Sequence, residues 1–304
     1  MFVSIAILLG SHLLLPIYFF YILWRTDEDS QFGWLVKALI SGVFFTYLFI
    51  AGRWDWLSIY LRYLYVVVYA ILLVVSYRRI RQRPFFASNG RSPWRRHGWA
   101  LLELALFIGF VGYTASGFFV DGNPVRLTFP LENGRFYVGQ GGSNPVLNAH
   151  NRNQAQQFAL DITEINAAGR RASGLYPTNP DQFVIFGETI HSPCDGVVVS
   201  AVDGLPDNDP PARDTEHLAG NHVVIHCEGV NVLLAHMQNG SLLVQADETV
   251  RTGQPLGQVG NSGNTTEPHL HIHAVPEDDT VMNGTGVPLE FEGVFPTRNT
   301  IFSE

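Results

Sequence analysis

Charged residues are scarce in this sequence. They make up 15% of its 304 residues, against roughly 25% in typical soluble domains. Hydrophobic residues make up 46%, and the mean hydropathy is +0.10. These values exclude an extended disordered chain, which needs low hydrophobicity and high net charge. They also argue against an ordinary cytosolic enzyme.

Cysteine and net positive charge are also lacking. Two cysteines are too few for a disulfide scaffold or a four-cysteine zinc site. The formal net charge of −8 argues against nucleic acid as a partner, because nucleic-acid binding needs a basic face.

Charge is divided unevenly along the chain. Residues 1–120 hold 11 Lys and Arg against 5 Asp and Glu, whereas residues 121–304 hold 8 against 22. Asymmetry of this size indicates that the two halves lie in different surroundings. We therefore expect two domains, one spanning residues 1–120 and the other residues 121–304.

The first half contains four apolar runs long enough to cross a membrane. They are Phe2–Trp24, Trp34–Gly52, Trp56–Tyr77 and Trp99–Val120. A helix of about 20 residues spans a hydrocarbon layer about 30 Å thick. The runs predict a lipid-embedded α-helical transmembrane bundle of about four spans, and a buried helical bundle in a soluble protein is the alternative. Tryptophans mark the ends of the runs, as in an aromatic belt: Trp24, Trp34, Trp54, Trp56, Trp94 and Trp99.

Arginines predict the orientation of these spans. The segment between the third and fourth runs holds seven of them: Arg78, Arg79, Arg81, Arg83, Arg91, Arg95 and Arg96. Because cytoplasmic loops are enriched in Lys and Arg, this segment is expected on the cytoplasmic side. The amino terminus and residues 121–304 are then expected outside the cytoplasm.

The sequence pattern of the second half is typical of a β domain, because short apolar runs are separated by Gly, Pro, Asn and Asp. Residues 155–165 could hold one or two helical turns, and residues 203–219 read as a long exposed loop that could form a cleft wall. The strand candidates are Gly196–Val202, Asn221–Cys227, Val230–His236, Gly240–Val244, Pro255–Val259 and His269–Val275.

The two cysteines flank two of these candidates. Cys194 precedes one strand and Cys227 ends the next, so antiparallel pairing of the strands would bring the cysteines close together. An oxidising space outside the cytoplasm allows an intramolecular disulfide between them. Two buried thiols are the alternative.

Histidines supply the chemistry of the second half. His269, His271 and His273 alternate along one strand, so their side chains share a face. Three imidazoles on one face suit a wet cleft or a metal better than a core. A hydrolytic zinc site needs about three protein ligands. His150, Asp161 and His236 are further candidates, and Asp161 lies between apolar neighbours, where an unpaired carboxylate is costly.

Four sequence segments together resemble the lysostaphin-type (LytM-like) zinc metallopeptidases. They are Gly-Asn-His-Val-Val-Ile at 220–225, Leu-Ala-His-Met at 234–237, the stretch from Val250 to Gly263, and Pro-His-Leu-His at 268–271. The resemblance spans roughly residues 135–275. It implies an all-β, antiparallel-sheet peptidase domain of the duplicated-hybrid or lysostaphin type, and peptidoglycan or another extracytoplasmic peptide as substrate.

The resemblance also implies residue roles. His150, Asp161 and His271 would be the ligands of one Zn²⁺ ion, and His236 and His269 the catalytic pair that does not coordinate it. Which of the two catalytic histidines acts as base stays open. The family's motif places its first His and Asp much closer together than His150 and Asp161, so a loop must restore the geometry. His273 is an additional histidine that could also touch the metal.

Taken together, these features predict a multi-pass protein of a bacterial cytoplasmic (inner) membrane whose outer domain is a zinc endopeptidase acting on peptidoglycan cross-links or stem peptides. The alternative is a catalytically inactive relative that binds the cell wall or activates another hydrolase. A biotinyl or lipoyl carrier is excluded, because it needs a modifiable lysine at its hairpin and Lys37 is the only lysine.

Overall fold

The computed structural model describes residues 2–87 and 93–303, with the side chains of residues 5–87 and 96–303. Arg91 lies outside the described residues, as do the side chains of Trp94 and Arg95. The chain divides into two compact units. One comprises Met1–Trp54 and Ile59–Ala115, and the other comprises Asp55–Ser58 and Ser116–Glu304.

The first unit is helical. Its elements are α1 (Phe2–Leu9), a π-helical segment (Gly10–Leu14), α2 (Leu15–Arg25), α3 (Gln31–Ala51), α4 (Ile59–Ile80) and α5 (Pro93–Ser116). In the described part of the chain, four helical stretches are long and apolar enough to cross a membrane: Ile5–Arg25, Gln31–Ala51, Ile59–Ile80 and Arg96–Ser116. Each matches one of the apolar runs of the sequence.

Polar atoms of aromatic side chains join these helices. The Tyr69 hydroxyl donates to the carbonyl of Ala38 at 2.7 Å, and the Tyr65 hydroxyl donates to that of His12 at 2.6 Å. The Trp34 indole N–H donates to the Ser76 hydroxyl at 2.9 Å. Such bonds connect helices whose apolar surfaces would gain little from packing against each other in lipid.

The second unit is built on an eight-stranded antiparallel sheet. Its spatial strand order is β12-β2-β3-β10-β7-β6-β5-β8, and two small sheets, β1-β11 and β4-β9, accompany it. The strands are β1 (Val125–Leu127), β2 (Arg135–Gln140), β3 (Leu160–Glu164), β4 (Thr189–His191), β5 (Gly196–Val202), β6 (Asn221–Cys227), β7 (Val230–Met237), β8 (Thr249–Val250), β9 (Pro255–Gln258), β10 (Leu270–Pro276), β11 (Leu289–Phe291) and β12 (Ile301–Ser303).

Successive residues of β10 face opposite sides of the sheet, one of which is the apolar core. Leu270, Ile272 and Ala274 are fully buried in the main apolar core. His271 and His273 point the other way because successive strand residues face opposite sides. The predicted shared face of these two histidines is therefore present, on the central strand of the sheet.

Two sequence predictions of local structure are wrong. Gly240–Val244 is not a strand, because the Asp203 carboxylate accepts from the backbone N–H groups of Gly240 and Leu242, and Gly240 adopts a left-handed φ of 71°. Residues 155–165 form no α-helix. The β-branched residues at their end lie in β3, which pairs with β2 and β10 on its two sides.

Cys194 and Cys227 form a disulfide, with their Cα atoms 6.0 Å apart. Pairing of β5 with β6, Val197 opposite His226, brings the two cysteines together as the strand pattern predicted. The bond closes a loop that includes residues 203–219.

Replacing both Cys194 and Cys227 by Ala is expected to destabilise the second unit by about 2–4 kcal/mol, because the unfolded chain regains the entropy that the cross-link removes. Denaturant unfolding of the full chain in detergent measures the loss. A reductant should lower the midpoint of the parent and leave that of the double variant unchanged. An unaffected parent midpoint contradicts a stabilising disulfide.

Glu164 ends β3 on the core side of the sheet. Burial, and secondly the charge of Glu188, raise the pKa of Glu164 from 4.5 to about 7. The folded protein therefore holds a proton at this carboxyl that the unfolded chain releases near pH 4.5. The stability gained in this way is complete below pH 4.5 and is lost as the pH rises through about 7.

Glu164→Gln is expected to weaken the fall in stability between pH 5 and pH 8, because glutamine never ionises. Unfolding midpoints of the parent and the variant at both pH values test this. Equal pH dependence in the two proteins contradicts the raised pKa of Glu164.

Candidate metal centre

Three neighbouring strands bring the candidate site residues together. In the β10-β3 pair His271 lies opposite Asp161, and in the β10-β7 pair it lies opposite Ala235. His236 follows Ala235 on β7, and His269 immediately precedes β10. The sheet register thus places residues that are far apart in sequence within one small region.

Asp161 is the centre of this region. Its carboxylate lies 2.9 Å from His150 Nε2 through either oxygen, and Oδ1 lies 3.0 Å from His271 Nδ1 and 3.4 Å from His269 Nε2. A β-bulge in β2 beside Asp161, between Val138 and Gln140, adjusts the strand at this point.

The chain between His150 and Asp161 is organised by the buried Asn148. Its side-chain amide donates to the carbonyls of Gly142 and Ala159 at 3.2 and 3.0 Å, which folds this segment back on itself. The Gln140 side chain accepts from the Ala149 N–H at 3.0 Å. This loop brings His150 to Asp161 despite the wide spacing of the two residues.

His271 and His273 form a directed pair. His273 Nε2 faces the Val281 carbonyl at 2.8 Å, so it carries the proton, and His273 Nδ1 then accepts from His271 Nε2 at 2.9 Å. His273 uses both ring nitrogens in this way, and it orients His271 rather than pointing at the Asp161 cluster. Burial, and then the charge of His271, lower the pKa of His273 to about 3.

That arrangement leaves a lone pair on His271 Nδ1 facing a carboxylate oxygen of Asp161 at 3.0 Å. Two acceptors in contact repel unless a cation lies between them. A proton on His271 is disfavoured, because burial lowers the pKa of His271. A divalent metal ion removes the conflict, and two imidazoles with one carboxylate are a donor set that zinc accepts. The residues present therefore fit zinc.

His236 and His269 each use ring nitrogen Nδ1 to donate a hydrogen bond to a backbone carbonyl. His236 Nδ1 donates to the Ser262 carbonyl at 2.9 Å, and His269 Nδ1 donates to the Glu267 carbonyl at 2.8 Å. Each neutral ring therefore has its unprotonated nitrogen at Nε2. The ring centroids lie 4.9 Å apart. The His236 backbone, at φ 63°, occupies a strained region beside a bulge in the β6-β7 pair.

Electrostatic interactions and burial shift the pKa values of the cluster's members in different directions. Burial opposes charge on both His150 and Asp161, but their mutual attraction raises the pKa of His150 and holds that of Asp161 well below its usual value. Burial, with the charges of His269 and His271, lowers the pKa of His236 well below its usual value. His236 is therefore a neutral imidazole near pH 7.

A cleft of about 220 Å³ opens over the cluster. His150, His236 and His271 line it, and Leu218 and Ala219 from the end of the predicted long loop form part of its wall. That loop therefore contributes to the site, as the sequence allowed.

Among the residues that the structure describes, two donor groups could hold an ion. One is His150, Asp161 and His271, and the other is His236, His269 and His271. In each group the donor atoms lie within 4.8 Å of one another. The first group is the better one for a dication, because its carboxylate offsets part of the ion's charge and lies 2.9 Å from His150 Nε2 and 3.0 Å from His271 Nδ1.

Several residues that shape the site were not identified from the sequence. Asn148 and Ser262 act through hydrogen bonds to backbone atoms, which leave no spacing signature. Arg171 is 1% exposed and forms an ion pair with Glu267, which lies just before His269. Glu267 stands in the histidine-rich stretch of the sequence, so its position, though not its partner, could have drawn attention.

Residues 181–283 match the model of peptidase family M23. This match confirms the resemblance of that segment to lysostaphin-type peptidases. His236, His269 and His271 lie inside the matched segment. His150 and Asp161 precede it.

Two curated proteins share local similarity with the chain. The DD-carboxypeptidase/endopeptidase Mpg of Neisseria meningitidis serogroup B is 46% identical over 56 residues, which cover 18% of this chain and 12% of that protein. The peptidoglycan DD-endopeptidase ShyA of Vibrio cholerae is 32% identical over 100 residues, covering 33% of this chain and 20% of ShyA. The chain thus spans a fifth or less of these relatives.

Among solved structures, the catalytic domain of the antimicrobial peptidase lysostaphin from Staphylococcus simulans is similar at 18% identity. The match covers 36% of this chain and 84% of that domain, with a TM-score of 0.25.

Metal binding should separate the two donor groups. Asp161→Ala is expected to lose zinc and His269→Ala to retain it, because only the first removes a donor of the favoured group. Zinc content and affinity of the purified full-length variants test this. Loss of zinc from His269→Ala with retention in Asp161→Ala contradicts the favoured group.

Proposed function

We propose that this protein is a membrane-anchored zinc metallo-endopeptidase that hydrolyses peptide bonds in peptidoglycan cross-links or stem peptides. In this proposal residues 121–304 contain the catalytic domain, and His150, Asp161 and His271 hold one Zn²⁺ ion. The observation that carries it is the contact between acceptor atoms of His271 and Asp161, 3.0 Å apart, with His271 lining the cleft.

Zinc in such a site lowers the pKa of a bound water to about 7 and polarises a carbonyl. The chain's own residues complete the chemistry. Asp161 and His150 fix the coordinating face, and His273 holds the ring of His271 in the orientation that presents Nδ1. Leu218 and Ala219 restrict access to the cleft from one side.

His236 and His269 are the proposed catalytic pair. His236 is neutral near pH 7 and its Nε2 can accept a proton from the attacking water. His269 is the proposed donor toward the developing oxyanion, because its Nε2 lies 3.4 Å from Asp161 Oδ1, beside the proposed ligands. A single well-placed donor of this kind is worth about 3–4 kcal/mol.

Four spans give the proposed topology. The arginines in and after the last turn of α4, such as Arg78 and Arg81, favour a cytoplasmic α4–α5 connection. The chain after α5 then lies outside the cytoplasmic membrane of a bacterium, in the compartment of peptidoglycan. The disulfide Cys194–Cys227 suits this oxidising location.

The proposed substrate class is supported by the names of the curated relatives. ShyA is named a peptidoglycan DD-endopeptidase, and Mpg is named a DD-carboxypeptidase/endopeptidase. We extend that class to this chain because its M23 domain includes three of the five proposed site residues.

The test uses the full chain in detergent with purified peptidoglycan as substrate. Zinc-loaded parent protein is expected to release shorter muropeptides, and His236→Ala is expected to retain zinc while losing at least about 100-fold in kcat. His217→Ala is the matched control, because this exposed histidine pairs with Asp214 and belongs to neither donor group.

An inactive parent that holds zinc and binds peptidoglycan would instead identify a wall-binding or hydrolase-activating module. Full activity of His236→Ala would show that the histidine pair does not perform the chemistry. Each result contradicts a different part of the proposal.

A further inference from the structure

Arg171 is a fully buried cation with two carboxylate partners. Its guanidinium donates to Glu267 Oε2 at 3.0 and 2.7 Å, and Asp55 Oδ2 lies 3.8 Å from Nε. The Arg171 side chain is 2% exposed and the Asp55 side chain 0%. A buried arginine loses its hydration, so its stability in this position depends on these partners.

The segment Asp55–Ser58 surrounds one side of Arg171. The Trp56 ring lies 3.8 Å from the guanidinium carbon, and the Asp55 carbonyl accepts from the Arg171 backbone N–H at 2.9 Å. This segment connects α3 to α4, yet it belongs to the compact unit that contains the sheet.

Glu267 links Arg171 to a proposed catalytic histidine. Its carbonyl accepts from His269 Nδ1 at 2.8 Å and from the Thr265 hydroxyl at 2.8 Å. The side chain of Glu267 is thus fixed by Arg171 while its backbone fixes the ring of His269. A shift of Glu267 would therefore displace the His269 ring, whose Nε2 lies 3.4 Å from Asp161 Oδ1.

The number of predicted membrane crossings is consistent with this role. If the four apolar helices each cross the membrane, the α3–α4 connection and the chain after α5 emerge on the same side, because two crossings separate them. The segment Asp55–Ser58 can therefore reach the sheet domain without leaving that compartment.

We propose that Asp55 and Trp56 act through Arg171 and Glu267 as positioning residues for His269. The short segment between α3 and α4 then supplies a positioning element of the peptidase. This inference rests on the proposed function of His269. Two of its residues, Asp55 and Arg171, precede the segment that matches the family, whereas Glu267 and His269 lie within it.

The test uses full-length protein with Asp55→Asn, Arg171→Gln and the control Arg170→Gln. Asp55→Asn preserves side-chain shape and removes one charge, and Arg170 is the exposed neighbour of Arg171. Hydrogen exchange at the amides of Thr265 and Glu267 should be faster in the first two variants than in the parent and control. This readout does not depend on bound zinc.

Peptidoglycan hydrolysis provides the second readout. Asp55→Asn and Arg171→Gln should lower kcat by roughly tenfold to 100-fold, since misplacement of a catalytic group by about 1 Å has effects of this size. Zinc content and KM should remain those of the parent. A merely structural role would instead lower the fraction of active protein, with exchange accelerated throughout the sheet.

A double variant tests whether Asp55 and Glu267 affect kcat through the same residue, Arg171, or independently of each other. The double variant Asp55→Asn with Glu267→Gln should lose no more kcat than the more severe single variant, because both act through Arg171. Exchange and kcat in Asp55→Asn equal to those of Arg170→Gln overturn the inference. A zinc-loaded parent without activity contradicts the proposed function, and the exchange measurement alone then decides on Arg171.

Discussion

The Asp161 carboxylate is the interaction around which the site is organised. Three imidazoles approach it within 3.4 Å. His271, and also His269 when its ring is neutral, does so through a nitrogen that has no proton to donate. Such a contact is unfavourable without a cation. The strands, the Asn148 loop and the orientation of His273 all maintain it, so the folded protein brings together donors that could hold a metal ion.

The sheet provides the rigidity that this arrangement needs. β3, β10 and β7 are consecutive interior strands, and the reverse sides of the same strands fill the apolar core with residues such as Leu160, Ile272 and Leu234. Displacing a site residue would therefore disturb the core. The bulges beside Asp161 and at His236 change the direction of single side chains while the pairing continues on either side.

Features that depend on local pattern could be predicted from the sequence. The four apolar helices, most central strands, the shared face of His271 and His273, and the cysteine pairing all follow from periodicity and adjacency. The strand β3 is not among the strand candidates, because residues 155–165 are interpreted as one or two helical turns. Its pairing with β2 and β10 is a long-range effect that no local pattern reveals. No local signal could reveal that Arg171 contacts both Asp55 and Glu267, which are 116 and 96 residues away.

Anomalous diffraction at the zinc absorption edge, from crystals of the zinc-loaded full-length protein, tests the central claim most directly. The account predicts one peak in contact with His150, Asp161 and His271, with His236 and His269 facing it across the cleft. A peak held by His236, His269 and His271, or no peak near Asp161, would contradict it.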